Sequence, residues 1–255
     1  MPLIQQLFGI DSTPLFIPDY DEIIIGLASG QGFAYRLTAS FLFEDNTDPA
    51  SDPAESGDEA QRMADTTFST YRGNAGTPIY TTGLGCSFGG TTERYSLGHT
   101  GEGYTPSSSA GMFGAYCRLD TGTTGTRAPI GTRVTSSNQC VIFVTPTAIS
   151  GNVGSAAPSY TFDMRSASVY HSIICTYQSG GNVDIYFDGI LRNSVSIAGT
   201  VSTGQKNLGC RHNPGVSFDN FWSGHIKAAM EANVYINPTQ ALNLHNFWDL
   251  GGLEE

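Results

Sequence analysis

Charged side chains are scarce in this chain. Asp, Glu, Lys and Arg make up 14% of the 255 residues, where soluble domains average about 25%. Basic residues are the scarcer kind, 12 against 23 acidic ones, which leaves a formal net charge of -11. A surface of that sign repels phosphate backbones and anionic lipid headgroups, so nucleic acid and membranes are not expected partners. No apolar run approaches the roughly 18 residues that cross a bilayer. Met1-Pro2-Leu3-Ile4-Gln5-Gln6 lacks a basic segment ahead of an apolar core, so no secretory signal is expected. Cysteines number only five (Cys86, Cys117, Cys140, Cys175, Cys210), widely spaced and without a C-x-x-C pair. That argues against a disulfide framework and against zinc. Cys117, Cys140 and Cys175 lie in strand-like runs, where cysteine serves as a small buried hydrophobe. No Asn-x-Ser/Thr acceptor exists, because proline disqualifies Asn237-Pro238-Thr239.

Catalytic signatures are missing as well. Glycoside hydrolysis needs two carboxyls across the scissile bond, about 5 Å apart for retention or about 6.5–9.5 Å for inversion. Asp184, Asp188 and Glu231 each stand alone in the sequence pattern. There is no G-x-S-x-G elbow, no H-x-x-x-H pair, no P-loop and no G-x-G-x-x-G after a buried strand. His99, His171, His212, His225 and His245 are scattered, and a packed, hydrogen-bonded role is expected for His171 and His225. The chain is not expected to be an enzyme.

What is abundant is turn and strand material. Thirty-one glycines accompany many Ser, Thr and Tyr residues, as in short strands joined by tight turns. Residues 1–32 read as an N-terminal arm, punctuated by Pro2, Pro14 and Pro18, and residues 33–255 as one β-sandwich. Phe33 to Phe43 alternates like a strand. Residues 44–59 hold seven acids and no base, the composition of a solvated acidic loop. The alternative reading of that loop is a calcium site using Asp45, Asp48, Asp52 and Asp58.

Further strands are expected over Met112 to Leu119, Gln139 to Val144, Tyr170 to Tyr177 and Val183 to Phe187. Asp188-Gly189 should reverse the chain into Ile190 to Val195. Ile226, Ala228, Met230, Ala232, Val234 and Ile236 predict one last alternating strand with these six on a single face. Asn237-Pro238-Thr239-Gln240 is a capping signal, followed by Ala241, Leu244, Phe247 and Trp248 on one helical face, with Gly251-Gly252 as the stop. The pattern predicts an all-β, two-sheet antiparallel sandwich with a short C-terminal helix.

The order of pieces from His171 to Leu250 resembles the closing half of laminin-G/pentraxin-like domains, a jelly roll of the concanavalin A-like lectin/glucanase superfamily. The matching pieces are His171 to Tyr177, Gly180-Gly181, Tyr186-Phe187-Asp188-Gly189, Leu208-Gly209, Phe221-Trp222-Ser223-Gly224-His225-Ile226, Val234-Tyr235 and the helix from Pro238. They cover roughly a third of the chain. Sugar sites on such sandwiches combine aromatic faces with a few fixed polar groups, sometimes bridged by calcium. Candidate contacts lie in His99 to Tyr104 and in Arg211 to Trp222, with Asp219 and Asn220.

The resemblance implies a non-catalytic binding or structural module. The first expectation is a virion protein, a bacteriophage capsid-decoration, fibre or tail-associated component made in the host cytoplasm. It would be homo-oligomeric and would contact other virion proteins and host-surface glycans. The second is a free, extracellular carbohydrate-binding lectin. The third is a glycoside hydrolase on the same fold.

Overall fold

The computed structural model describes residues 32–36, 60–62, 74–75, 79–81, 84–97, 107–202, 204, 206–213 and 217–249. The acidic loop, the expected strand beyond Arg36, the helix stop at Gly251-Gly252 and the arm up to residue 31 lie outside them. The first strands are β1 (Gly32–Arg36), β2 (Ala60–Arg62), β3 (Asn74–Ala75), β4 (Ile79–Thr81), β5 (Gly85–Gly89) and β6 (Arg94–Leu97). Then come β7 (Ala110–Leu119), β8 (Ile130–Thr135), β9 (Asn138–Val144), β10 (Ala148–Val153), β11 (Ser159–Thr161), β12 (His171–Gln178) and β13 (Asn182–Phe187). The last are β14 (Ile190–Ser196), β15 (Thr200–Val201), β16 (Lys206–Leu208), β17 (Arg211–Asn213), β18 (Ser217–Asp219) and β19 (Ser223–Ala232), followed by helix α1 (Pro238–Asp249).

Two sheets form. The first runs β14-β13-β12-β7-β19-β1-β2, with β5 also on β19 and β4 on β5; the second runs β11-β10-β9-β8-β16-β6-β3. Neighbours along both paths are antiparallel, and β15 and β17 add short parallel pairings to β9 and β8. The sheets meet face to face over a core that includes Phe88, Phe113, Ile142, Ile173, Ile185 and Trp222. A side chain at Gly151 on β10 would sit 2.6 Å from Cys175 Sγ on β12, so backbone and thiol touch across the interface.

Local chemistry explains the turns. Asp188 and Gly189 have φ of 51° and 71°, the left-handed pair a two-residue hairpin needs between β13 and β14. Asp188 has a second task. Its carboxylate accepts from Ser172 N at 3.1 Å and lies 2.9 Å from His171 Nδ1, tying the turn to the start of β12. The helix opens on the reciprocal cap that its sequence predicts. Asn237 N donates to Gln240 Oε1 at 2.9 Å, and Gln240 N donates to Asn237 Oδ1 at 3.0 Å. Its buried residues are Ala241, Leu244, Phe247 and Trp248. They cover the outer face of the first sheet, where Trp248 stacks on Tyr116 and Tyr116 OH donates to Asp249 Oδ1 at 2.8 Å. This cover is why Ser172, Ile174 and Thr176 are as buried as Ile173 and Cys175.

The last strand departs from its expected form. It ends at Ala232, and its register shifts between Ile226 and Ala228. Lys227 is the extra residue of a bulge, so the strand changes phase there. Ile226 faces the second sheet, but beyond the bulge Ala229 and Glu231 take the inward positions, opposite Ala115 and Phe113. Glu231 is therefore not alone. It forms a buried ion pair with Lys206, which enters from β16 of the other sheet and lies 5.3 Å from the Phe113 ring. Asp184 is not alone either, since it accepts from Ser194 Oγ and Tyr235 OH. All five cysteines are buried free thiols. No described helix is long and apolar enough to cross a membrane.

Candidate functional site

The β17–β18 hairpin sets Arg211 directly opposite Asp219. Arg211 Nε donates to Asp219 Oδ1 at 2.6 Å and Nη2 donates to Oδ2, a two-pronged pair. The guanidinium lies 5.4 Å from the Phe143 ring centroid. Phe143 turns outward on β9, because Gly151 pairs with its neighbour Ile142 and faces Cys175 of the other sheet. To reach Phe143, Arg211 must cross β8, where Gly131 presents no side chain. The guanidinium side chain is 11% exposed and the Asp219 carboxylate side chain 36%, so the acid is the accessible half of the pair.

The surroundings are similarly built from arginine, aromatic ring and backbone carbonyl. Arg94 lies 3.6 Å from the Phe218 ring centroid. Arg127 Nη1 donates to Gly90 O at 3.0 Å and to Phe221 O at 2.9 Å, clamping the end of the hairpin. Asn220 has φ of 51°, a backbone state that Asn tolerates; its Nδ2 donates to Thr126 O at 3.1 Å and its carbonyl accepts from Ala128 N at 2.7 Å. Near the hairpin, burial pushes the Cys210 thiol up to about 12, against the pull of Arg94. It carries no thiolate for nucleophilic chemistry near neutral pH.

Of the sequence-predicted contacts, Asp219 and Asn220 are brought together at this surface. Trp222 corrects the expectation, because its ring is fully buried; its backbone N–H donates to Gly209 O at 2.7 Å. It supports the site from beneath and offers no ring face to a ligand. His99 and Tyr104 lie outside the described residues, as do Asp45, Asp48, Asp52 and Asp58. Asp184, Asp188 and Glu231 are held by separate donors and do not pair across a groove. Among the described residues no group of three or more His, Cys, Asp or Glu is placed to hold a metal ion. Phe143 was hidden in an apolar run, and only its position between inward Ile142 and Val144 could have signalled it.

The sequence matches no known family profile. No curated protein matches it either. Solved structures do resemble its fold. The ligand-binding domain of botulinum neurotoxin serotype D, in complex with N-acetylneuraminic acid, aligns with TM-score 0.57 and 7% identity over 88% of this chain and 52% of that one. A structure of botulinum neurotoxin type C, whose cell entry is dependent upon interaction with two ganglioside molecules, aligns with TM-score 0.56 and 10% identity over 74% and 48%. Trypanosoma rangeli sialidase in complex with difluorosialic acid aligns with TM-score 0.50 and 13% identity over 66% and 28%. The chain spans about half the length of the neurotoxin chains it matches. At these identities the likeness establishes a shared β-sandwich.

Proposed function

We propose that the chain is a non-catalytic, lectin-like module that binds carbohydrate on the outer face of its second sheet. The observation that carries this reading is the Arg211–Asp219 pair beside Phe143. A partly exposed carboxylate in a fixed plane offers two acceptors to neighbouring sugar hydroxyls, and a flanking ring edge accommodates the C–H face. Two of the fold's structural neighbours are binding domains described with gangliosides or N-acetylneuraminic acid, which supports the same class of ligand here. The test is calorimetry of the full chain against a panel of oligosaccharides, with wild type and Asp219→Ala. A bound glycan whose affinity falls about tenfold or more in the variant is the expected result, about 1.4 kcal/mol. A chain that binds no glycan at millimolar concentration overturns the reading. Repeating the titration with a chelator reads out any calcium requirement, including one arising from Asp45, Asp48, Asp52 and Asp58.

A second reading concerns where the module works. Five buried thiols on a lectin-like fold suit a protein that folds in a reducing compartment. This supports a virion role, as a homo-oligomeric bacteriophage decoration, fibre or tail-associated protein that meets host-surface glycans. Density-gradient sedimentation of the native source tests it. Co-migration with particles is expected, and recovery only among free soluble proteins overturns it.

A further inference from the structure

A second polar cluster sits on the outer face of the first sheet, beyond the helix. Arg118 on β7 and His225 on β19 are opposite one another in register, and Arg118 Nη2 donates to His225 Nδ1 at 2.7 Å. Nη1 of the same guanidinium donates to Ala167 O. The bulge sends Lys227 to this face too, where its Nζ lies 4.6 Å from the centroid of the Tyr170 ring. Arg118 stands 5.5 Å from the same ring. Tyr170 is pinned, with its hydroxyl donating to Leu84 O at 2.5 Å and its ring 5.6 Å from that of Tyr116. Two permanent cations thus converge on one ring, one of them bonded to an imidazole, in a chain of net charge -11.

Arg118 is the telling residue. It is only 7% exposed, yet its described partners are a carbonyl and an imidazole, both neutral. Its buried Nε has no partner among the described residues. A buried guanidinium without a carboxylate is costly, by several kcal/mol unless an anion offsets it. Tyr170, His225 and Lys227 are partly exposed at the mouth of the cluster.

We infer that this cluster binds the carboxylate of an acidic sugar residue, with Arg118 and Lys227 supplying charge and Tyr170 the wall. The ligand class rests on the carbohydrate-binding reading above; the anion preference rests on the cluster itself. Arg118 donates to Nδ1, so His225 is neutral, with its proton on Nε2. Burial and then Arg118 hold its pKa below the ordinary value, with Asp120 pulling the other way. The groups around the imidazole are Arg118 from β7, Asp120 just beyond it, Ser87 from β5, Tyr170 from the preceding loop and Lys227 on its own strand. Protonation at Nδ1 breaks its bond from Arg118. A bound carboxylate that takes up the freed guanidinium favours the imidazolium, so by linkage the acid binds more tightly as pH falls through the imidazole range.

The experiment is calorimetric titration of the full chain with N-acetylneuraminic acid, glucuronic acid and neutral lactose, at pH 5.5 and pH 8. Wild type is compared with Lys227→Ala, His225→Gln and Asp219→Ala, each checked for native tryptophan fluorescence. Both acids should bind wild type about three- to tenfold more tightly at pH 5.5. Lys227→Ala should weaken them about tenfold, and His225→Gln should abolish the pH dependence, with neutral lactose unaffected by either. Acid binding that is absent, or is lost only in Asp219→Ala, overturns this inference. If acids bind as expected but no glycan responds to Asp219→Ala, the hairpin reading falls and this one stands.

Discussion

Lys206 and Glu231 reach each other from opposite sheets, with side-chain exposures of 1% and 3%. Burial alone would push the lysine's pKa down; the facing carboxylate outweighs it and the net shift is upward. Removing one partner strands a charge in the core. Lys206→Met or Glu231→Leu should each cost about 3–5 kcal/mol, whereas the double variant Lys206→Met/Glu231→Leu should lie much nearer wild type. Denaturant unfolding of the four proteins closes the cycle. Additive losses would show that the two charges are not coupled.

Alkaline pH should destabilise the protein early. Burial raises the thiols of Cys117, Cys140, Cys175 and Cys210 above their ordinary value of 9.0, Cys140 to about 11 and Cys210 to about 12. Burial likewise lifts Tyr170 to about 12. These groups lose their protons first in the unfolded chain, so ionisation favours unfolding as pH rises past about 9. Each thiol contributes a slope of up to about 1.4 kcal/mol per pH unit above that point. Unfolding free energies measured between pH 7 and pH 10.5 should fall accordingly, and Cys175→Ala should flatten the curve. A thiol reagent should titrate all five cysteines only after denaturation.

The helix should be separable into a cap and an anchor. Asn237→Ala removes one side-chain acceptor and the reciprocal bond's geometry, at a cost of about 1 kcal/mol. Trp248→Ala removes a buried ring stacked on Tyr116 and should cost about 3–5 kcal/mol. Thermal unfolding ranks the two, and an equal effect would contradict the packing described above.

Gly224 has φ of 146°, and a side chain there would sit 2.1 Å from Arg118 O. Gly224→Ala should therefore destabilise by more than the roughly 1 kcal/mol typical of a substitution. Because the clash falls on the carbonyl of Arg118, the variant should also disturb acid binding. A soluble, fully stable Gly224→Ala would refute the strand geometry at this point.

The hairpin at Asp188-Gly189, the helix face and the cap were legible because each depends on residues within a few positions of one another. The two-sheet architecture followed from alternation and turn spacing. What escaped is non-local. The bulge at Lys227 leaves no mark in an alternating pattern, since Ile226, Ala228 and Met230 read as one face regardless. Glu231's partner Lys206 comes from another strand, 25 positions away, and Asp184's partner Tyr235 from the segment ahead of the helix, 51 positions away. The same holds for the site. Asp219 and Asn220 could be picked from a polar loop, but Phe143 and the Arg118–His225 pair become neighbours only when strands distant in sequence align.

The extra residue at position 227 behaves like an insertion in a reading frame. Upstream, odd-numbered residues of the strand point to solvent; downstream, they point to the core. One segment of ten residues therefore obeys two opposite rules for substitution. Deleting Lys227 would not simply remove a lysine. It would restore unbroken alternation along the strand with Glu231 still opposite Phe113, and the outer face would lose the cation beside Tyr170.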